Sequence, residues 1–240
     1  MNQQRPSSEP RAGLFVTIDG PSGVGKTTTI THVAQLLEAD GVAPHLTLEP
    51  SRGPIGRLAY ELTDTVTGPA LACLYAADRY HHLQSEIRPV LQAGQLVLCD
   101  RYVPSALVMQ RLDGLELDFL WNLNTLADRP HLAIILTADP SVITARLTTK
   151  GPHNRLQRQV DSSVAEARFY REASEHLGHS DYQMLPIDTT RLTPGLVAAR
   201  IRLAIHRCLN RAPSIHTARD CSVGDASPRC GGGRESEEWA

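Results

Sequence analysis

The stretch "FVTIDGPSGVGKTTTITHVAQLL", residues 15–37, passes from an apolar run into a helix-periodic run through a glycine-rich turn. Phe15 to Ile18 is short, contains β-branched residues and is bounded by Gly20, which predicts a buried strand. Beyond the turn, Ile30, Val33, Ala34, Leu36 and Leu37 recur at helical spacing. Between the two lies Gly20-Pro21-Ser22-Gly23-Val24-Gly25-Lys26-Thr27, which fits Gly-x-x-x-x-Gly-Lys-Thr, the phosphate-binding P-loop. The chemistry calls for these residue types. Glycines let backbone N–H groups close round a polyphosphate, and a helix N-terminus adds partial positive charge. Gly20, Ser22, Gly23, Gly25, Lys26, Thr27 and Thr28 are therefore the expected nucleotide-binding residues. Lys26 would reach the β- and γ-phosphates, and the Thr27 hydroxyl would bind Mg2+.

The rest of the chain narrows the class of protein that carries this loop. Its 240 residues suit one α/β domain with a sizeable core. A hydrophobic content of 41% and a charged content of 21% are ordinary for a globular chain. A net charge of -2 gives no hint of a strongly basic nucleic-acid surface or of polybasic membrane attachment. No apolar run approaches the ~20 residues that span a bilayer. The opening "MNQQRPSSEPRAG" lacks the apolar core of a secretory signal. The five cysteines are odd in number and show no Cys-x-x-Cys spacing, which argues against a disulfide framework or a zinc site. A cytoplasmic protein with reduced thiols is the expectation.

Residues 1–12 are polar, with two prolines, and read as a flexible arm. From 211 to 240 the sequence has no periodicity and little to bury, and reads as a disordered tail. The domain is expected over 13–210. Within it "HLTL" (45–48), "QLVLCD" (95–100), "HLAIILTA" (131–138) and "YQMLPI" (182–187) join the first run as strands. Helices are expected over 27–39, 54–64, 69–93, 103–111, 116–127, 140–149, 161–177 and 194–210. This alternation implies a three-layer α/β sandwich, a five-stranded parallel sheet flanked by helices, with ligands at the carboxyl ends of the strands.

Three further stretches carry a resemblance: "EPSRGPIG" (49–56), "LYAADRYHH" (74–82) and "VLCDRYVPSALVMQ" (97–110). With the P-loop, in this order and spacing, they resemble the thymidylate kinase family of P-loop nucleoside monophosphate kinases. The resemblance covers residues 13 to about 208. It implies ATP and Mg2+ as cofactors, dTMP as acceptor, and a homodimer. The loop wording "IDGPSG" also resembles cytidylate kinases, though the later motifs do not follow them.

Physical chemistry can be read at each motif. Asp100 ends an apolar strand, where a carboxylate beside the loop can hold Mg2+ through water, so Thr27 and Asp100 are the metal candidates. Arg101 can grip a monophosphate by bidentate hydrogen bonds. Tyr75 and Arg79 lie four apart on one helix face, where a ring can stack on a base and a guanidinium can address its carbonyl edge. The resemblance assigns Ser105 and Gln110 to polar contacts near that base. The segment "RLTTKGPHNRLQRQV" (146–160) reads as a lid, over about 149–160, that brings Arg155 and Arg158 to the migrating phosphoryl group. Catalytic roles therefore fall to Lys26, Arg101, Arg155 and Arg158.

Three departures stand out. Many relatives carry an acid at the position of Ser22, and Asp19 is the nearest substitute in sequence. The arginine that precedes Glu-Pro in the family is Leu48 here, with Arg52 close enough to replace it. The stacking phenylalanine is Tyr75, whose hydroxyl needs a polar partner. The same transfer to another or modified pyrimidine nucleotide, or nucleotide binding without transfer, are the alternatives.

Overall fold

The computed structural model describes residues 13–150, 162–180 and 182–210. The arm (1–12), the tail (211–240) and most of the expected lid, with Arg155 and Arg158, lie outside the described residues. Five parallel strands form one sheet in the order β2-β3-β1-β4-β5. They are β1 (Leu14–Asp19), β2 (His45–Leu48), β3 (Leu96–Asp100), β4 (Leu132–Thr137) and β5 (Met184–Asp188).

Strand β1 is buried along its whole length, as the central strand of a doubly covered sheet must be. Its alternation divides the core in two. Leu14, Val16 and Ile18 face Ile30, Val33 and Leu37 of α1 (Lys26–Ala39) and Val197, Ile201 and Ile205 of α9 (Pro194–Leu209). Phe15 belongs to the opposite layer, with Val97, Tyr102 and Leu107, and with Tyr170 of α8 (Ser162–Gly178). This side also includes Tyr102 of the turn after β3 and α5 (Val103–Met109). Trp121 of α6 (Leu117–Leu123) stands edge-on to His176 of α8, ring centroids 5.0 Å apart.

The expected helix over 69–93 is one continuous rod with a wide turn in it. An α-helical segment, α3 (Gly68–His82), runs into a π-helical turn (Leu83–Ile87) and on into α4 (Arg88–Gln92). Pro89 supplies a reason. It has no N–H for the carbonyl four residues back and would clash with it, and a wider turn relieves both faults. The expected helix over 116–127 ends early, at Leu123, because Asn124 turns its Nδ2 back to the Leu120 carbonyl at 2.7 Å. The remaining helices are α2 (Pro54–Leu62) and α7 (Pro140–Lys150), and Gln110–Asp113 forms a short 3-10 turn after α5. No helix among the described residues is long and apolar enough to cross a membrane.

Two glycines of the loop are required for different reasons. Gly20 has φ +146°, and a Cβ there would meet the Leu136 carbonyl oxygen of β4 at 2.4 Å. Gly25 has φ +105° but open space around it. Gly20→Ala should therefore lower stability by about 2–4 kcal/mol, and Gly25→Ala by about 1–2 kcal/mol. Urea denaturation of the two variants checks the order; equal losses would remove the close-approach argument.

Candidate active site

The β1–β3 register sets Ile18 opposite Asp100, so the loop after β1 and the turn after β3 emerge side by side. The Arg101 N–H donates to Ile18 O at 3.0 Å, extending the ladder one residue beyond β3. Arg101 then turns with φ +72°, a left-handed conformation that a non-glycine residue adopts at a cost of order 1–3 kcal/mol. Asp19 over-determines that turn. Its Oδ1 accepts from the Tyr102 N–H (2.9 Å), the Ser105 N–H (3.1 Å) and the Ser105 hydroxyl (2.6 Å). Burial pushes the Asp19 carboxyl up, and the hydrogen bonds from Ser105 and Tyr102 oppose that shift. That one oxygen organises the β3–α5 turn.

Thr27, at the start of α1, places its Oγ1 3.3 Å from Asp100 Oδ2. Asp100 Oδ1 is buried with no hydrogen-bond partner among the described residues. A hydroxyl and a carboxylate with an unused oxygen are hard oxygen donors, the set that suits Mg2+. Lys26 is folded back, its Nζ donating to Gly20 O (2.8 Å) and Pro21 O (2.9 Å). Burial, and then the nearby Arg101, bring its pKa down to about 7. The Ser22 N–H donates to Glu166 Oε2 of α8 at 2.7 Å, a buried contact between residues 144 apart in sequence. Arg146 of α7 straps the loop from outside, donating to Val24 O (3.1 Å) and Thr189 O (3.4 Å).

Arg101 is half-buried, with Nη1 3.5 Å from the Ser105 hydroxyl. That hydroxyl also meets Tyr170 Oη at 2.9 Å, so Ser105 sits beneath the arginine, tying it to Asp19 and α8. Farther along α3, Tyr75 is half-buried and its hydroxyl finds the Thr63 Oγ1 at 2.8 Å, the polar partner that the extra hydroxyl needs. Arg79 is buried. Its Nε and Nη2 meet Glu49 Oε2 at 2.8 and 2.7 Å, its Nη1 donates to Asn124 Oδ1, and its guanidinium lies 5.6 Å from the Tyr102 ring centre. Gln110 is buried too, and its Oε1 has no partner among the described residues. Arg52 is exposed on the loop after β2.

The structure brings Lys26, Thr27, Asp100 and Arg101 together at one end of the sheet, with Ser105 directly below. Tyr75 and Arg79 lie on the neighbouring α3, and Gln110 follows α5. Thr28 is exposed. Glu49, Asn124, Arg146, Glu166 and Tyr170 were not singled out by the sequence. Glu49 lies within "EPSRGPIG", and Pro89 is the local sign of the wide turn. Asp78 was likewise unassigned; it clamps the same loop, accepting from the Ser51 N–H (2.6 Å) and hydroxyl (2.5 Å). A cavity of about 670 Å³ opens at the carboxyl ends of β4 and β5, lined by Thr137, Asp139, Asp188, Thr190 and Arg191 among others.

Comparisons with known proteins converge. A family model described as thymidylate kinase matches residues 18–199. The probable thymidylate kinase of Pyrobaculum calidifontis is 34% identical over 200 residues, 82% of this chain and 97% of that protein. The probable thymidylate kinase of Pyrobaculum aerophilum is 39% identical over 197 residues, 80% of this chain and 96% of the relative. The thymidylate kinase of Deinococcus radiodurans is 34% identical over 194 residues, 75% of this chain and 90% of its own.

The depressed pKa of Lys26 has a measurable consequence. At about pH 8 the free amine is mostly neutral, and a bound polyphosphate favours its charged form. Binding of ADP at that pH should take up on the order of one proton, and at about pH 6, where Lys26 is already charged, the uptake should vanish or reverse. Calorimetry in two buffers of different ionisation enthalpy measures the count. Zero uptake at the higher pH would mean that Lys26 is fully charged in the free protein.

Proposed function

The chain belongs to the thymidylate kinase family, and from that membership we propose that it transfers the γ-phosphoryl group of ATP to dTMP, giving ADP and dTDP. The observation that carries the reading is the convergence of Lys26 and Thr27 from β1–α1 with Asp100 and Arg101 from β3–α5. Lys26 would face a phosphate donor, Arg101 an acceptor phosphate, and Thr27 with Asp100 a metal. A phosphate oxygen of the acceptor is already a nucleophile, so the protein's work is positioning and charge stabilisation rather than strong base catalysis.

Each group then has a task. The loop amides and Lys26 hold the donor phosphates, and Lys26 would exchange its two carbonyl partners for them. Thr27 and Asp100 would hold Mg2+, which would offset negative charge on the donor phosphates. Arg101 orients the acceptor phosphate. The donor's nucleoside half would extend toward the cavity at β4 and β5, beside the Arg146 strap. Tyr75 supplies a ring for the acceptor base, and the open Gln110 Oε1 supplies an acceptor of hydrogen bonds near it. Arg155 and Arg158 would close over the transferring group, raising turnover more than acceptor affinity.

Arg79 is the proposed reader of the base. Three of its five N–H donors are engaged by Glu49 and Asn124, which leaves two for a ligand. Because Arg79 also forms a buried ion pair, truncating it would cost about 3–5 kcal/mol of stability and give no clean test of specificity. The wild-type protein does. A donor at the carbonyl of pyrimidine position 4 favours thymine and uracil, whereas cytosine opposes donor to donor, worth about 1–3 kcal/mol.

With ATP and Mg2+, dTMP and dUMP should therefore be phosphorylated at about ten times the kcat/KM of dCMP or more, and purine monophosphates barely at all. Tyr75→Phe should leave that order unchanged, since the Tyr75 hydroxyl is directed to Thr63. A coupled ADP-release assay across the panel decides it. Equal use of dCMP and dTMP would overturn the role of Arg79, and no transfer to any monophosphate would overturn the kinase reading.

A further inference from the structure

Ser22, the third residue of the loop, is uncharged, yet a carboxylate is present at that point. Glu166, 1% exposed, reaches in from α8 and accepts the Ser22 N–H at 2.7 Å. Asp19 serves the neighbouring turn, its Oδ1 accepting three hydrogen bonds from β3–α5 while its Oδ2 has no partner among the described residues. Around Glu166 the charges have a pattern. Lys26 and Arg101 repel one another, and Asp100, Glu166 and Asp19 each act on both in the sense that favours their charged forms. Of these three carboxylates, Glu166 is the one that also grips the backbone of the loop after β1, through the Ser22 amide.

We propose that Glu166 is the positioning acid of the transfer site, supplying from α8 the negative charge that the loop's own uncharged third residue, Ser22, does not. It acts through the Ser22 amide and through Lys26 and Arg101. The inference rests on the phosphoryl-transfer reading above and names a residue that reading does not need. Tyr170, four residues on and on the same face of α8, completes the clamp by meeting the Ser105 hydroxyl at 2.9 Å. One helix thereby holds both the loop after β1 and the turn after β3. Placing the acid on α8 makes the loop's third position dependent on how that helix is seated.

A charge relocated from one partner to the other can be moved back. Glu166→Gln keeps an acceptor for the Ser22 amide and removes the charge. It should lower kcat about tenfold while leaving KM for ATP and for dTMP within about threefold. Ser22→Asp alone should also lower kcat, because two carboxylates would then share one buried site. The double variant Ser22→Asp/Glu166→Gln should return to within about threefold of the wild-type kcat, a recovery that a merely structural contact would not give. Wild-type turnover in Glu166→Gln overturns the proposal, as does a double variant no better than the poorer single one. Should Glu166→Gln fail to fold, Ser22→Asp is compared with Ser22→Asp/Glu166→Ala. Recovery in the latter supports the relocation and its absence overturns it. Wild-type transfer to dTMP with an indifferent Glu166 removes this inference alone. A wild-type protein that phosphorylates no monophosphate removes the transfer reading, and this one with it.

Discussion

The hydrogen bond from the Arg101 amide to the Ile18 carbonyl carries the β1–β3 ladder past the end of β3 and into the site. Everything chemical is dimensioned from that bond. It fixes where β3 releases the chain, and the Asp19 carboxylate then gathers Tyr102 and Ser105 so that the chain turns at once into α5. Arg101 is left projecting at the turn in a backbone conformation that it would not choose alone. Because β1 also delivers the loop that precedes α1, donor-side and acceptor-side groups share one foundation. A slip of one residue between β1 and β3 would reverse every side chain of β3 and separate Thr27 from Asp100.

The charges round this foundation are mostly buried, and each has an opposite neighbour. Arg79 leans on Glu49, and His82 on Glu49 and Glu86, with burial opposing and these carboxylates favouring its charged form. Such pairs are weak evidence of added stability, since taking ions out of water offsets much of their attraction. Their value here is geometric. The Arg79–Glu49 pair ties α3 to the end of β2, and the Asn124 contact ties it to the turn after α6, so the face carrying Tyr75 is held from two sides.

Much of this was legible in the sequence where a local pattern carries the physics. The P-loop announces itself through glycine spacing, the strands through apolar runs, and Asp100 and Arg101 through their place at the end of one such run. The ends of the strands moved slightly, as with β5, expected over 182–187 and found at Met184–Asp188. Less legible were residues whose meaning depends on a partner far along the chain. In "VAEARFYRE" Glu166 looks like one more charge on a helix, because nothing local says that the face it occupies is turned to residue 22. Asn124 ends one helix, which the apolar periodicity alone extends to 127, and braces an arginine on another, and neither role shows in the local pattern. Ser105, read as a contact near the base, lies under Arg101, a location set by the same turn that Asp19 organises.

The edge-on meeting of Trp121 with His176 joins α6 to the helix that carries Glu166 and Tyr170. Indole emission is sensitive to a neighbouring imidazole, above all a protonated one. The molecule therefore contains its own optical gauge of the α6–α8 contact, one that needs no attached dye. With Trp239 of the tail replaced, the remaining indole would give a single-site signal. Seating and release of α8 could then be followed in real time, in the same cuvette as turnover.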